Sequence, residues 1–234
     1  MIGAEIEVYC KAAADNVRVG DCPFTSACCM ALASKGIPFT MKPRTAENKD
    51  EWHLKEPYNG SMPCLRSADG STVIVDSSVI VKYIDENLGE VSQRRAFGGV
   101  EGIAWKLKED LGLFPVVAKY LKNKDPSKDA ELEEALKEKL SQLDSMIEVS
   151  GGPFISGSDI SVVDFFTAST LYVLQSACEA LKGVKFEELV HVGYASLQAY
   201  VIMLTSLPSY TQGVLLYTAE DVIFGWRKAR GEIC

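Results

Sequence analysis

The residues best placed to do chemistry form one short run, Gly20-Asp21-Cys22-Pro23-Phe24-Thr25. Proline sits well at the first position of a helix, where its missing N–H costs nothing. With Pro23 there, Cys22 becomes the N-cap. Its sulfur then faces unpaired backbone N–H groups and the positive end of the helix dipole. Both favour thiolate over thiol, and the thiolate is the nucleophile. A single Cys followed by Pro and an aromatic, with no second Cys three residues on, points to monothiol chemistry. A cysteine packed inward, or used merely as a small cap, is the plainer alternative. The order strand, loop, Cys-Pro, helix favours the reactive one.

Two further runs suit a peptide ligand. In Ser61-Met62-Pro63-Cys64 a proline stands just before a strand. A cis bond there would leave its neighbour's backbone free to pair with a peptide, and spacing alone does not decide between cis and an ordinary trans proline. In Asp76-Ser77 a hydroxyl and exposed N–H groups at a helix start suit a carboxylate, while Asp76 suits an ammonium. Plain helix capping is the simpler reading of that pair.

These groups meet only if the flanking elements bring them together. Ile6, Val8 and Cys10 alternate with polar or mixed positions and predict a strand. A loop with Asp15, Asn16 and Gly20 leads to a helix over Phe24 to Ser34, closed by Lys35-Gly36. Pro38 to Lys42 reads as extended and Lys49 to Lys55 as a short helix. Cys64-Leu65-Arg66 and Thr72-Val73-Ile74-Val75 flank Asp69-Gly70, a hairpin signal. Asp76-Ser77 opens a helix through Glu86. The helical crossover between the first two strands predicts that they pair in parallel. Residues 87–98, with Gly89, Gly98, Arg94 and Arg95, read as a linker, and the pattern beyond is helical. Leu132, Leu136, Leu140, Leu143 and Ile147 recur among charges over Glu131 to Val149. Ser161-Val162-Val163-Asp164 is a capping box ahead of an apolar helix, Phe165 to Leu181. Tyr194 to Ser206 predicts another helix, ended by Pro208. The expected organisation is an α/β domain over 1–86, a linker over 87–98 and an all-α domain over 99–234.

Composition excludes several classes. The 234 residues are 47% hydrophobic and 24% charged, ample for a sizeable core. With 24 Lys+Arg against 32 Asp+Glu the net charge is −8, so no basic excess exists to release counterions from nucleic acid. No apolar run reaches the roughly 18 residues of a membrane span, and no basic leader is visible. Seven cysteines, an odd number without framework spacing, fit a reducing, cytoplasmic compartment. A leader already removed would leave no trace. Two distant histidines, His53 and His191, and no CxxC pair give no zinc site and no metal expectation.

In this order, the three chemical features resemble the glutathione transferase superfamily. The mixed half is similar to its thioredoxin-like N-terminal domain, the helical half to its all-α C-terminal domain, and Ser161 to Asp164 to its capping box. Lys11-Ala12-Ala13 ahead of Gly20 to Thr25, then Trp52, Val75-Asp76-Ser77 and a late Gly225-Trp226, resemble more narrowly the plant-type dehydroascorbate reductases. The likeness covers nearly the whole chain and is densest through residue 86.

The resemblance implies glutathione-dependent reduction of dehydroascorbate to ascorbate. Cys22 would be the nucleophile, and Lys11 and Asp21 would line the ascorbate pocket. Lys49, Met62 through its backbone, Pro63, Asp76 and Ser77 would hold glutathione, and Trp226 would close the substrate side. Glutathione enters as co-substrate, with no tightly bound cofactor, and the expectation is a monomer that engages neither nucleic acid nor membrane. Plainer readings stand beside these: Lys11 as a solvated loop lysine, Lys49 as part of a charged helix, Trp226 as a core anchor, Asp21 as a mere cap. Asp-Cys-Pro-Phe also occurs in related omega-type enzymes and chloride-channel-like relatives. The alternative activity is therefore an omega- or lambda-type thiol transferase acting on mixed disulfides. A conjugating transferase is disfavoured, because Cys22 stands where such enzymes need a hydroxyl. Many relatives are expected to carry histidine at the place of Val173, so any substrate contact from that side chain is absent.

Overall fold

The computed structural model describes residues 5–93, 96–98, 102–190 and 193–233. Arg94 and Arg95, the expected start of the helical half at 99, His191 and Cys234 lie outside them. In chain order the first elements are β1 (Ile6–Lys11), α1 (Pro23–Ser34), β2 (Phe39–Arg44), α2 (Glu51–Leu54), β3 (Cys64–Ser67), β4 (Val73–Val75) and α3 (Ser77–Asn87). The helices that follow are α4 (Ile103–Leu111), α5 (Leu113–Lys122), α6 (Asp129–Ser150), α7 (Val162–Lys182), α8 (Phe186–Leu189), α9 (Ala195–Ser206), α10 (Pro208–Gly213) and α11 (Ala219–Ala229). No helix among the described residues is long and apolar enough to cross a membrane.

The sheet runs in the order β2-β1-β3-β4. β1 and β2 pair in parallel, with Ile6 opposite Phe39, because α1 is a helical crossover between them. β3 pairs antiparallel with β1, Val8 opposite Leu65, and with β4 across the Asp69-Gly70 turn. This is the expected thioredoxin-like half, and among the described residues the regular elements named after it are helices.

α1 has no charged residue and is buried on nearly every side, as an apolar helix must be. It packs against β1, α3, α7 and α10. α10 comes so close that a side chain at Gly213 would overlap the Met30 backbone. Pro208 ends α9, as expected, and also serves as the first residue of α10. The capping box at α7 forms: Asp164 Oδ2 accepts from the Ser161 N–H at 2.8 Å and hydroxyl at 2.8 Å. Asp164 Oδ1 takes the Ile155 N–H at 3.0 Å and the Tyr200 hydroxyl at 2.9 Å. Burial raises its carboxyl above the ordinary range despite these four donors.

One buried charge ties the ends of α1 and α3 together. Lys35 Nζ donates to the Ile84 and Asp85 carbonyls at 3.0 and 2.7 Å and lies 3.3 Å from Asp85 Oδ1. A cation suits carbonyls at a helix C-terminus. Asp85 Oδ1 in turn accepts the Phe97 N–H at 3.1 Å.

Candidate active site

Cys22 is the N-cap of α1, with φ −89° and ψ 107°, and Pro23 is the first helical residue. Its N–H donates to the Gly20 carbonyl at 2.9 Å and its carbonyl accepts from the Ser26 N–H at 3.2 Å. The side chain makes no capping hydrogen bond, and the residue is partly exposed. The other described cysteines, Cys10, Cys28, Cys29, Cys64 and Cys178, are free and buried. Burial disfavours the charged form. It pushes the thiols of Cys10 and Cys64 up to about 12, that of Cys178 to about 11, and those of Cys28 and Cys29 well above the ordinary value. One turn into α1, the Ser26 hydroxyl donates to the buried Tyr217 hydroxyl at 3.0 Å.

Lys11, at the end of β1, and Asp21 pair with each other: Nζ lies 2.6 Å from Oδ1, with the lysine side chain 49% and the aspartate 11% exposed. Asp21 is pressed against α11 so closely that a Cβ on Gly225 would overlap its carboxylate. The neighbouring Trp226 is 5% exposed. Its ring lies 6.5 Å from that of Phe114, which meets Phe24 edge-on at 4.7 Å.

On the other side of Phe24, Ser61, Met62, Pro63, Val75, Asp76, Ser77 and Ser78 enclose a cleft of about 470 Å³. The Met62–Pro63 bond is cis. Asp76 caps α3 with φ +71°, its Oδ1 accepting from the Ser78 and Val79 N–H groups at 2.9 and 3.2 Å. Lys49 does not line this cleft; its Nζ lies over Gly60, just ahead of Ser61. His53 supports the same segment, Nε2 sitting 2.8 Å from the Ser61 carbonyl, with the Trp52 ring stacked on it at 5.0 Å. As an acceptor the carbonyl requires Nε2 to carry the proton. A second, largely apolar cleft of about 250 Å³ runs from Phe24 and Pro23 to Phe114, Lys108, Phe166 and Thr170. Val173 is fully buried in α7.

Sequence reasoning missed the clamp between the loop at residues 12–20 and α11. Arg18 is bidentate to Asp221, Nη1 to Oδ2 at 2.9 Å and Nη2 to Oδ1 at 3.0 Å, and its Nε donates to Asp15 Oδ2 at 2.6 Å. Asp221 also closes a capping box with Thr218, accepting the Thr218 N–H at 3.0 Å. The Thr218-Ala219-Glu220-Asp221 spacing carried that signal; the arginine that joins it did not. Gly225 was read as part of a motif, and its contact with Asp21 explains why glycine stands there.

The described geometry is a partly exposed cysteine at a helix N-terminus, next to Asp21 of a Lys–Asp pair and two residues before Phe24, which lines a cleft of mixed polarity. Residues 18–92 match the family model for the glutathione S-transferase N-terminal domain, and residues 112–209 that for the C-terminal domain. The chain is 32% identical over 226 residues to the probable glutathione S-transferase DHAR1, cytosolic, of Oryza sativa subsp. japonica, covering 94% of this chain and 96% of that one. It is 31% identical over 211 residues to the probable DHAR2, chloroplastic, of the same plant, covering 90% and 71%. The fold is that of the crystal structure of Chlamydomonas reinhardtii dehydroascorbate reductase, with a TM-score of 0.77 at 23% identity over 96% of this chain and 98% of that one. Domain models over both halves and a full-length relative above 30% identity place the chain in the glutathione S-transferase family.

Proposed function

We propose that the chain is a glutathione-dependent dehydroascorbate reductase, with Cys22 as its nucleophile. The observation that carries this is the position of Cys22: partly exposed at the start of α1 while the other described cysteines are buried, one residue after Asp21 of the Lys11–Asp21 pair and two before Phe24, which lines the Met62–Ser78 cleft. Support comes also from the residues that resemble plant-type dehydroascorbate reductases and from the DHAR designation of the rice relatives.

The chemistry follows from sulfur reactivity. The Cys22 thiolate attacks an electrophilic carbonyl of dehydroascorbate and gives it two electrons. With one water consumed, ascorbate leaves and Cys22 becomes a sulfenic acid. A first glutathione condenses with it to a mixed disulfide, returning the water. A second glutathione thiolate attacks that disulfide, releasing glutathione disulfide and Cys22 thiolate. Ascorbate leaves as a monoanion, and Lys11 offers the cation that stabilises it as charge develops. Asp21, a carboxylate, is suited to accept from substrate hydroxyls. Met62, Pro63, Asp76 and Ser77 hold glutathione, with Lys49 at the edge of their cleft, and Trp226 backs the substrate side through Phe114. Glutathione is a consumed co-substrate.

The same proposal includes a monomeric, cytoplasmic chain divided into a glutathione-binding domain over 1–86, a linker over 87–98 and a helical domain over 99–234. The apolar cleft beside Phe24 favours a second reading, a thiol transferase whose mixed-disulfide leaving group sits there. Parallel assays with dehydroascorbate, a glutathione mixed disulfide and a chloronitrobenzene decide between them. Dehydroascorbate turnover that disappears in Cys22→Ser supports the first reading; turnover of the mixed disulfide alone overturns it.

A further inference from the structure

The start of α3 is short of donors for the carboxylate expected there. Asp76 already accepts the Ser78 and Val79 N–H groups, so two of the helix's orphan donors are spent. The Ser77 N–H and the hydroxyls of Ser77 and Ser78 remain, beside the like charge of Asp76. Lys108 of α4, from the lining of the neighbouring apolar cleft, reaches the same place. Its Nζ donates to Ser78 Oγ at 2.9 Å and lies 4.4 Å from the centre of the Phe166 ring and 5.3 Å from that of Trp105. Among the described residues it forms no ion pair. Glu109, on its own helix, and Asp76, at the start of α3, both favour its charged form, yet burial outweighs them and lowers its pKa. A partly desolvated ammonium resting on a hydroxyl and two rings is a cation without a counter-ion, and it gains most from an anion brought into the cleft.

We propose that Lys108 is a further glutathione-binding residue, its ammonium pairing with the α-carboxylate of the γ-glutamyl group docked at Ser77 and Ser78. This rests on the glutathione reading of that cleft. Lys108 acts on glutathione and not on the attack on dehydroascorbate, so its loss raises KM for glutathione and leaves KM for dehydroascorbate in place.

The test is calorimetric titration of the full chain with two probes, reduced glutathione and γ-aminobutyryl-cysteinyl-glycine, which lacks only that carboxylate. Lys108→Met is expected to weaken glutathione by about tenfold and to leave the analogue's affinity nearly unchanged. Lys108→Arg keeps most of the glutathione affinity. Lys108→Gln, which retains a polar tip for Ser78, repeats the test if the methionine variant does not fold. Equal losses for both probes, unchanged glutathione affinity, or an effect on KM for dehydroascorbate alone overturns the role of Lys108. A wild-type chain that binds neither probe and reduces no dehydroascorbate fails the glutathione reading itself, which is a different result.

Discussion

Asp21 is held from two sides, by the Lys11 ammonium and by the bare backbone of Gly225. The two contacts predict different outcomes. The lysine is half exposed, and exposed pairs of this kind contribute at most about 1 kcal/mol. Lys11→Ala is therefore expected to leave the melting temperature nearly unchanged while slowing dehydroascorbate reduction, as seen by pairing thermal unfolding with steady-state kinetics. Gly225→Ala forces a methyl into the carboxylate. It is expected to cost about 1–3 kcal/mol by overpacking and to slow reduction on the order of tenfold to a hundredfold through displacement of Asp21. A variant with wild-type kinetics would detach Asp21 from the reaction. That Lys11 and Asp21 both flank the loop leading to Cys22 was legible in the sequence. That they bind each other was not, because pairing depends on how far β1 and the loop fold back.

At the level of elements, α11 is what steadies the loop before Cys22. Arg18 links Asp15, in the loop, to Asp221, in the capping box of α11. Arg18→Met leaves the largely buried Asp221 carboxylate without its cation, and the expected loss is about 1–2 kcal/mol, near the low end for charged hydrogen bonds because Arg18 is exposed. Asp15 gives this clamp an acid limit. Hydrogen bonds from the Arg18 and Val17 N–H groups and the Arg18 side chain hold its carboxyl down to about 2, against 3.8 when free. A depressed carboxyl stabilises fully above 3.8 and loses that contribution as pH falls toward 2. Denaturant unfolding at stepped pH should show a smaller acid loss in Asp15→Asn than in the wild type. Elements with local signatures were readable in advance: α1 from Cys-Pro and Lys-Gly, α3 from Asp-Ser, α6 from its leucine spacing and α7 from its capping box. α4, α5 and α11 were seen only as general helicity: α4 is bounded by glycines and α5 starts from one, and the Thr218–Asp221 capping box of α11, though local, was not read.

Over the whole molecule, the sheet half carries a buried ion pair, Lys35 with Asp85, whose carboxylate takes the Phe97 N–H from the segment between the halves. Lys35→Met leaves Asp85 buried without its cation and is expected to cost roughly 3–5 kcal/mol in urea unfolding. The double variant with Asp85→Asn, which keeps an acceptor for the Phe97 N–H, should recover part of that loss; no recovery would show that the lysine acts through its carbonyl contacts instead. The mixed-then-helical plan was legible because hydrophobic period changes from two to 3.6 along the chain. How α1 and α3 lock together was not, since a lysine at the end of one helix gives no sign of which carbonyls it will find.

The clamp between Arg18 and Asp221 spans 203 positions, which gives the site a schedule as well as a shape. A contact this distant closes a long loop and carries a large entropic cost until the intervening chain is in place. Cys22 can therefore sit at the head of a formed α1 well before its surroundings exist. On the ribosome, α11 emerges long after α1, so a nascent chain carries the loop before Cys22 unclamped until α11 has been made. After dilution from denaturant, helical ellipticity is expected to return before reductase turnover. In Arg18→Met that lag should lengthen, and simultaneous recovery of both signals would show that the enclosure does not wait for the far end of the chain.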